Sequence, residues 1–370
     1  MTSFDVLVRG SGIVGASLAL ALSRLGLSVA LRPGDSRPGA GPDLRAYALN
    51  AGSVALLQSL KVWDALPAEA KTPVHDMQIE GDASGGHLEF SAWEQQVGEL
   101  AWIVDAAVLE RELASALKFA PHVSVTRDDD VQAALVALCE GRDSSGREAR
   151  GVALERLDYG HRAIAARLLA SQPHRHTARQ WFRSPDVLAL LPFDTPQPQS
   201  SYALVWSLPD ARAEALMAMD ERAFEQSLME ATAGAAGTLT LASPRAAWPL
   251  ALARARCVSG PGWVLLGDAA HVVHPLAGQG LNLGLADVAA LARVIAEREP
   301  WRDLGDEKLL RRYARERVAP TWAMGQLTDG LLQLFAHPTP AVRELRNRGL
   351  TLVNGLPFVK RWLTARALDS

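Results

Sequence analysis

The chain has 370 residues, 48% hydrophobic and 21% charged, a composition that fills two or more compact units and excludes a disordered protein. A formal net charge of −3 gives no electrostatic reason to expect nucleic acid as a partner. The two cysteines, Cys139 and Cys257, form no C-x-x-C pair and are too few for a disulfide framework, which favours a reducing compartment. Residues 1–5 lack a basic, apolar leader, and no window reaches the uncharged span of a transmembrane helix, so the expected location is cytoplasmic, with peripheral membrane contact left open.

Residues 4–9 read as a short strand, and Gly10-Ser11-Gly12-Ile13-Val14-Gly15 follows at once, opening a helix through 16–22. A glycine-rich turn in that context is the dinucleotide fingerprint. The first glycine permits the tight turn, the second lets the backbone meet a pyrophosphate, and the third lets helix pack on strand. A second strand over 28–31 should end in an acidic residue that bonds the adenosine ribose. The chain reads Arg32-Pro33-Gly34-Asp35 instead. Either Arg9 and Arg32 contact the dinucleotide, or Asp35 reaches back to do the carboxylate's work.

Asp43-Leu44-Arg45-Ala46-Tyr47-Ala48-Leu49-Asn50 precedes a helix over 51–60. Short strands broken by Gly81, Gly85 and Gly86 between 73 and 96 mark an excursion into a second, sheet-based unit. The chain returns at 102–105, and Val108, Leu109, Leu113 and Leu117 give 106–117 the spacing of an amphipathic helix. A strand over 123–125 runs into Asp128, Asp129 and Asp130, a solvated turn. Residues 136–144 lead into a charged turn at 145–148. Alternating segments such as 201–206 continue the second sheet, 211–229 reads as one helix, and Trp248-Pro249-Leu250 leads back to the first unit. His174 and His176 have no third ligand at metal spacing, so no metal is expected.

Residues 263–266, Trp-Val-Leu-Leu, read as a buried parallel strand that feeds a polar elbow, GDAAHVVHPLAGQG, over 267–280. Gly278, Gly280 and Gly284 allow close approach of a ligand, and from Asn282 the apolar spacing is helical. The N-terminus of that helix offers unpaired N–H groups and partial positive charge to a phosphate, or to a ring that gains negative charge on reduction. Asp268 at the strand tip suits ligand hydroxyls. His271 and His274 flank the elbow, as general bases or as hydrogen-bonded scaffold. Beyond 336, Arg343, Arg346, Arg348, Lys360, Arg361 and Arg366 outnumber Glu344 and Asp369 among apolar residues. That is the pattern of a helical tail that packs on its own domain or lies in a lipid interface.

On these residues the chain resembles the FAD-dependent aromatic hydroxylases of ubiquinone biosynthesis, within the para-hydroxybenzoate hydroxylase-like group. The motifs that carry the resemblance are Gly-Asp-Ala-Ala-His at 267–271, Pro-x-x-Gly-Gln-Gly-x-Asn at 275–282 and Asp-x-Arg-x-x-Ala-Leu at 43–49. A fourth runs from Cys139 to Arg147, where relatives have Ala-Asp-Gly-x-x-Ser-x-x-Arg. The resemblance implies that Asp268 bonds the ribityl chain of FAD and that Pro275, Gly278, Gln279, Gly280 and Asn282 lie against the flavin ring. It implies further that Arg45 lies near that ring, that Gly10, Gly12 and Gly15 serve the dinucleotide, and that Glu140 and Gly141 are linked to FAD and the NAD(P)H donor; Arg32 joins the cofactor candidates by its place where the ribose acid is expected. Arg45, Pro275, His271 and His274 are the candidates for catalysis. Departures from the pattern are Arg9 in a usually apolar place, Arg32 at the ribose acid, Glu140 for aspartate, and a trimmed stretch after 125.

The expected fold is α/β. A discontinuous Rossmann-like FAD-binding domain (1–72, 100–170, 258–335) is joined to a β-sheet-based substrate domain (73–99, 171–257) and a helical C-terminal segment (336–370). The activity implied is that of a monooxygenase: NAD(P)H reduces the flavin, O2 adds at its C4a carbon, and the flavin hydroperoxide passes a hydroxyl group to an aromatic ring. A polyprenylated phenol or quinone precursor is the implied substrate. Two alternatives stand beside it: a hydroxylase of a small soluble aromatic acid, and a non-catalytic flavin-holding scaffold in a quinone-biosynthesis assembly.

Overall fold

The computed structural model describes residues 3–34, 43–81, 86–128, 130–273 and 279–336; Asp35, His274, Pro275, Gly278 and the basic tail lie outside the described residues. In chain order the first elements are β1 (Ser3–Arg9), α1 (Ile13–Arg24), β2 (Val29–Arg32), β3 (Ala46–Leu49) and α2 (Ala51–Ser59). Next come β4 (Lys71–Val74), β5 (Asp76–Glu80), β6 (His87–Ser91), α3 (Ala92–Gln95), β7 (Ala101–Asp105), α4 (Ala106–Leu117), β8 (Val123–Val125) and β9 (Gln132–Leu138). The middle of the chain forms α5 (Ser145–Glu148), β10 (Leu154–Ala170), β11 (Thr177–Arg183), β12 (Asp186–Phe193), β13 (Ser201–Pro209), α6 (Asp210–Ala218) and α7 (Glu221–Thr232). The last described elements are β14 (Leu239–Leu241), β15 (Ala246–Ala255), β16 (Ser259–Gly260), β17 (Trp263–Leu265), β18 (His271–Val272), α8 (Gln279–Ala296) and α9 (Glu307–Ala336).

Three sheets organise these elements. The first runs β16-β17-β9-β1-β2-β8 and is parallel apart from the β16 edge. Chain order reverses about β1, with β2 and β8 on one side and β9 and β17 on the other. The turns after β1 and β9 therefore open into one crevice at the carboxyl ends of the strands, where such sheets bind ligands. Val6, Val8, Val29 and Leu31 are fully or almost fully buried, as a sheet covered on both faces requires. Leu281, Leu285, Val288, Leu291 and Ile295 form the buried stripe of α8 and join the same core.

The second sheet is nine-stranded and mostly antiparallel, in the order β18-β15-β10-β13-β12-β11-β5-β6 with β14 beside β10. Its two faces differ because side chains alternate along each strand. Trp181, Leu188, Leu190, Leu204 and Trp206 bury one face under α6 and α7, where Phe224 stands 6.1 Å from Trp206. The other face carries Met77, Ala178, Gln180, Phe182, Ala189 and Val205, and turns toward the first sheet. A third, small sheet, β3-β7-β4, bridges the two. Arg167 of β10 locks the bridge: it meets Asp105 at 3.0 Å, reaches the backbone oxygen of Arg45, and lies 4.0 Å over the ring of Phe193.

Two features differ from the sequence reading. The helix expected over 211–229 is divided into α6 and α7, because the carboxylate of Asp220 accepts the Ala223 N–H at 2.8 Å and caps a new helix after extended Met219. The strand β10 lies within the segment 100–170 expected in the first domain, yet pairs with β13 and β15 along the nine-stranded sheet.

Candidate active site

The crevice of the first sheet and the open face of the second enclose one cavity of about 670 Å³. At one end lie Gly12, Ile13 and Val14 of the β1–α1 turn, with Gly141 and Arg142 beyond β9; at the waist lie Arg45, Tyr47, Asp268, Gln279, Gly280 and Asn282. The far end is floored by the nine-stranded sheet.

The glycines of the first turn divide by what a side chain would meet. Gly10 has φ +103°, and a Cβ there would stand 2.2 Å from the carbonyl oxygen of Cys139. A Cβ on Gly15 would stand 1.9 Å from the carbonyl oxygen of Gly10. Both are glycine because the protein's own backbone leaves no room. Gly12 is otherwise: no protein atom lies within 4 Å of its virtual Cβ, and at Gly280 the nearest is Val273 at 3.9 Å. Those two open places both border the cavity. Gly12 also caps α1 without a side-chain bond, so the first N–H groups of that helix face the same space. Backbone approach, a helix end and an adjoining carboxylate at Asp268 fit a dinucleotide with a sugar-like chain, which is the shape of FAD.

Arg45 is held before it meets any ligand. Its Nε and Nη2 donate to the two carboxylate oxygens of Asp43 at 2.8 and 2.7 Å, and Nη2 lies 3.4 Å from Glu110. The bond to Asp43 raises the guanidinium further above its ordinary value, so it stays charged. Burial pushes the Asp43 carboxyl up, but the bonds from Arg45 outweigh it and the net shift is downward. Tyr47, under the Arg45 guanidinium, is pushed up to about 12 by burial and remains a neutral phenol.

Glu140 is engaged by its own chain. Its carboxylate meets Arg9 at 2.9 Å and accepts from the Ser144 hydroxyl at 2.6 Å and the Gly146 N–H at 2.9 Å. Arg9 stands level with Arg32 across β1 and β2. The side chain unexpected in an apolar place is thus the partner of the one that replaced aspartate. Arg147, which closes the fourth motif but was given no role from the sequence, is buried and donates to the carbonyls of Arg142 at 3.1 Å and Ala269 at 3.2 Å, clipping the 140–148 loop to the elbow.

Asn282 is also spent internally. Its Oδ1 accepts from the Asn50 N–H at 3.1 Å and the Ser53 hydroxyl at 2.7 Å, and its Nδ2 donates to the Ala48 carbonyl at 2.8 Å. It ties α8 to β3 and α2 beside the cavity, and leaves ring contact to backbone and neighbours.

Of the two readings of His271, general base or hydrogen-bonded scaffold, its surroundings match the second. It is buried, does not line the cavity, and gives its Nε2 hydrogen to Asp287 at 2.7 Å. The same Asp287 carboxylate accepts the Gly267 N–H at 2.9 Å and the Arg317 Nε–H at 2.7 Å. Asp287 and Arg317 are residues that the sequence reading missed; the available signal was one carboxylate on the apolar stripe of a helix. His174 turns its ring to Asp194 at 3.3 Å, and among the described residues no three His, Cys, Asp or Glu side chains are grouped to hold a metal.

The FAD binding domain family pattern matches residues 3–135 and 118–328. Ubiquinone hydroxylase UbiL of Rhodospirillum rubrum is 31% identical over 390 aligned positions, covering 99% of this chain and 90% of the relative. The chain belongs to the FAD-dependent aromatic hydroxylase family of ubiquinone biosynthesis. Within that family, the 3-demethoxyubiquinol 3-hydroxylase of Escherichia coli is 29% identical and each chain is covered to 98%. The fold is also that of PqsL from Pseudomonas aeruginosa in complex with 2-aminobenzoylacetate, with TM-score 0.76, 21% identity, and 94% of this chain and 99% of that chain covered. HpxO from Klebsiella pneumoniae, complexed with FAD and uric acid, matches with TM-score 0.73, 18% identity, and 98% and 97% coverage.

Two predictions follow from the elbow of this flavoprotein. Gly12→Val and Gly280→Val should each fold with an unchanged circular dichroism spectrum yet purify with little or no flavin, whereas Gly10→Ala should lower the melting temperature. A fully yellow Gly280→Val protein would remove the elbow from the cofactor site. Burial opposes ionisation of Asp287, but His271 and Arg317 outweigh it and hold the carboxyl below its ordinary value. A depressed folded pKa contributes stability in full above about pH 4, lost as pH falls through the folded value. Melting temperature followed from about pH 6 downward should therefore drop more steeply in the natural protein than in Asp287→Asn, which starts lower at neutral pH.

Proposed function

We propose that this protein hydroxylates the aromatic ring of a polyprenylated phenol or quinone precursor, using FAD, NAD(P)H and O2. The observation that carries the reading is the continuity of the cavity: a dinucleotide turn at one end and a hydrocarbon floor at the other, with the flavin-facing elbow between them. Bound FAD, reduced by NAD(P)H, supplies the activated oxygen. The chain's own residues bind, orient and exclude water. Gly12 and the first turn of α1 would hold the pyrophosphate, Asp268 would accept hydrogen bonds from the ribityl hydroxyls, and backbone at Gln279 and Gly280 would support the ring, with the N-terminal dipole of α8 favouring negative charge there. Arg45 keeps a fixed positive charge at the waist because Asp43 and Glu110 hold it. Residues Met77, Ile79, Leu88, Phe90, Phe182 and Leu191 keep the substrate end dry, which limits wasteful release of H2O2.

The same floor weighs against a small aromatic acid. A carboxylate buried there needs a cation, and among the described residues of the floor no Lys, Arg or His side chain faces the cavity. Arg179 borders it, but donates to Gln78 at 2.6 Å on the helix-covered face. The relatives named for ubiquinone hydroxylation support the prenylated substrate by kinship. A long prenyl chain is poorly soluble, and the basic residues interleaved with apolar ones from 343 onward favour meeting it at an anionic bilayer surface. Among the described residues no helix is long and apolar enough to cross a membrane.

The purified protein should carry FAD non-covalently and oxidise NAD(P)H faster when a prenylated phenol is added, with hydroxylated product. Bound FAD without any acceleration would favour the scaffold. Ala189→Phe, which fills the floor away from the elbow, should stay yellow and lose most of the phenol-stimulated rate. The full chain should co-sediment with anionic vesicles and come off in salt; equal sedimentation with neutral vesicles would count against the tail as the contact.

A further inference from the structure

Titratable side chains gather at the seam where β4 of the bridging sheet meets the head of β11. The side chain of His174 is fully buried there, and both of its ring nitrogens are engaged. Nδ1 accepts the His176 N–H at 3.0 Å, so the ring hydrogen stands on Nε2, which faces the Asp194 carboxylate at 3.3 Å. Asp194 also accepts the Gln199 N–H at 2.7 Å and the Thr72 hydroxyl at 3.0 Å. His176 in turn donates from its own Nδ1 to the Pro73 carbonyl at 3.2 Å, and its carbonyl accepts the His75 N–H at 2.9 Å. Between the two histidines the backbone passes through φ +49° at Arg175 and +57° at His176, a left-handed region that residues with side chains adopt only with local support. The turn therefore hangs on the lone pair of one imidazole nitrogen. One residue along each strand from this joint, Val74 and Ala178 line the cavity.

We infer that His174 is a proton-operated latch: neutral, it holds the turn that starts β11, and protonated, it releases the His176 N–H and loosens the seam at the substrate end of the cavity. Protonation puts a second hydrogen on Nδ1, and two N–H groups then point at each other across 3.0 Å. The charged ring keeps its place on Asp194 while the turn lets go. The groups that face His174 are Asp194 beyond β12, Arg175 and His176 in its own turn, His75 beyond β4, and Tyr202 of β13, which Arg179 meets. Charge on His176, whose ring lies 5.4 Å away, opposes charge on His174. Burial disfavours the imidazolium and outweighs the pull of Asp194, so the ring titrates below its ordinary value. A depressed folded value means that the neutral ring contributes its stability in full above about pH 6.5, and that the contribution is lost as pH falls through the folded value.

The test follows deuterium exchange at the His176 N–H in the FAD-loaded full chain, from about pH 7.5 to 5, corrected for the intrinsic exchange rate. Protection in the natural protein should be steady above about pH 6.5 and then fall, approaching tenfold per pH unit as one proton is taken up. In His174→Asn the side-chain oxygen stands in for Nδ1 and does not titrate, so the profile should be flat. Asp194→Asn removes the anion that favours the charged ring, and the fall should move to lower pH. Binding of p-xylene, a probe with no titrating group, is read by perturbation of the flavin absorbance and should weaken over the same range in the natural protein but not in His174→Asn. Steady protection throughout in the natural protein, the same fall in His174→Asn, or p-xylene affinity that ignores the released turn overturns the inference. Should His174→Asn fail to fold, Asp194→Asn decides, and a fall at an unmoved pH overturns it.

Discussion

One buried carboxylate holds the cofactor end of this molecule together. Asp287 is fully buried, and it binds three groups from two parts of the chain: the Gly267 N–H and His271 within the elbow, and Arg317 on α9. The elbow has glycines where a ligand must come close, and glycine-rich backbone costs more entropy to order than any other. A hub that draws the turn onto α8, while Tyr313 donates to the Leu265 carbonyl at 2.7 Å, offsets that cost by fixing both sides of the turn. Removing one partner from such a buried set typically costs about 3 to 5 kcal/mol, since the remaining charge is left in an apolar core.

The second anchor is made of neutral groups. Asn282 engages Asn50, Ser53 and Ala48, so α8 is tied to β3, the strand that carries Tyr47 and follows Arg45. Arg147 clips the loop beyond β9 to the backbone at Ala269. The waist of the cavity is thereby a junction of three segments far apart in sequence, each pinned by side chains that look like ligand-binding residues in a motif and act here on backbone. A motif preserves residue types for two reasons, contact with the ligand and support of the backbone that makes contact, and spacing alone does not separate them.

That distinction accounts for what the sequence made legible. The strand-turn-helix at 3–24, the parallel strand at 263–265 and the amphipathic helices were readable because period and glycine placement are local signals. The pairing of Arg9 with Glu140 was not, because it joins the end of β1 to the loop beyond β9, more than a hundred positions apart in the chain. His271 stayed open between base and scaffold, since sequence shows its neighbours in the chain and not its depth in the fold. The single helix read over 211–229 failed on one competing local bond at Asp220.

Cys139 sits at the end of β9 behind the first glycine turn, and burial pushes its thiol well above the usual range. Thiol reagents act on thiolate, so burial disfavours reaction at this sulfur in the folded protein. Cys257, between β15 and β16, is exposed. The natural chain is thus already a single-handle molecule for a fluorophore or spin label, set where the nine-stranded sheet hands the chain back to the parallel one. Slow appearance of a second labelled thiol would act as a clock for the opening of the dinucleotide turn, read without any substitution.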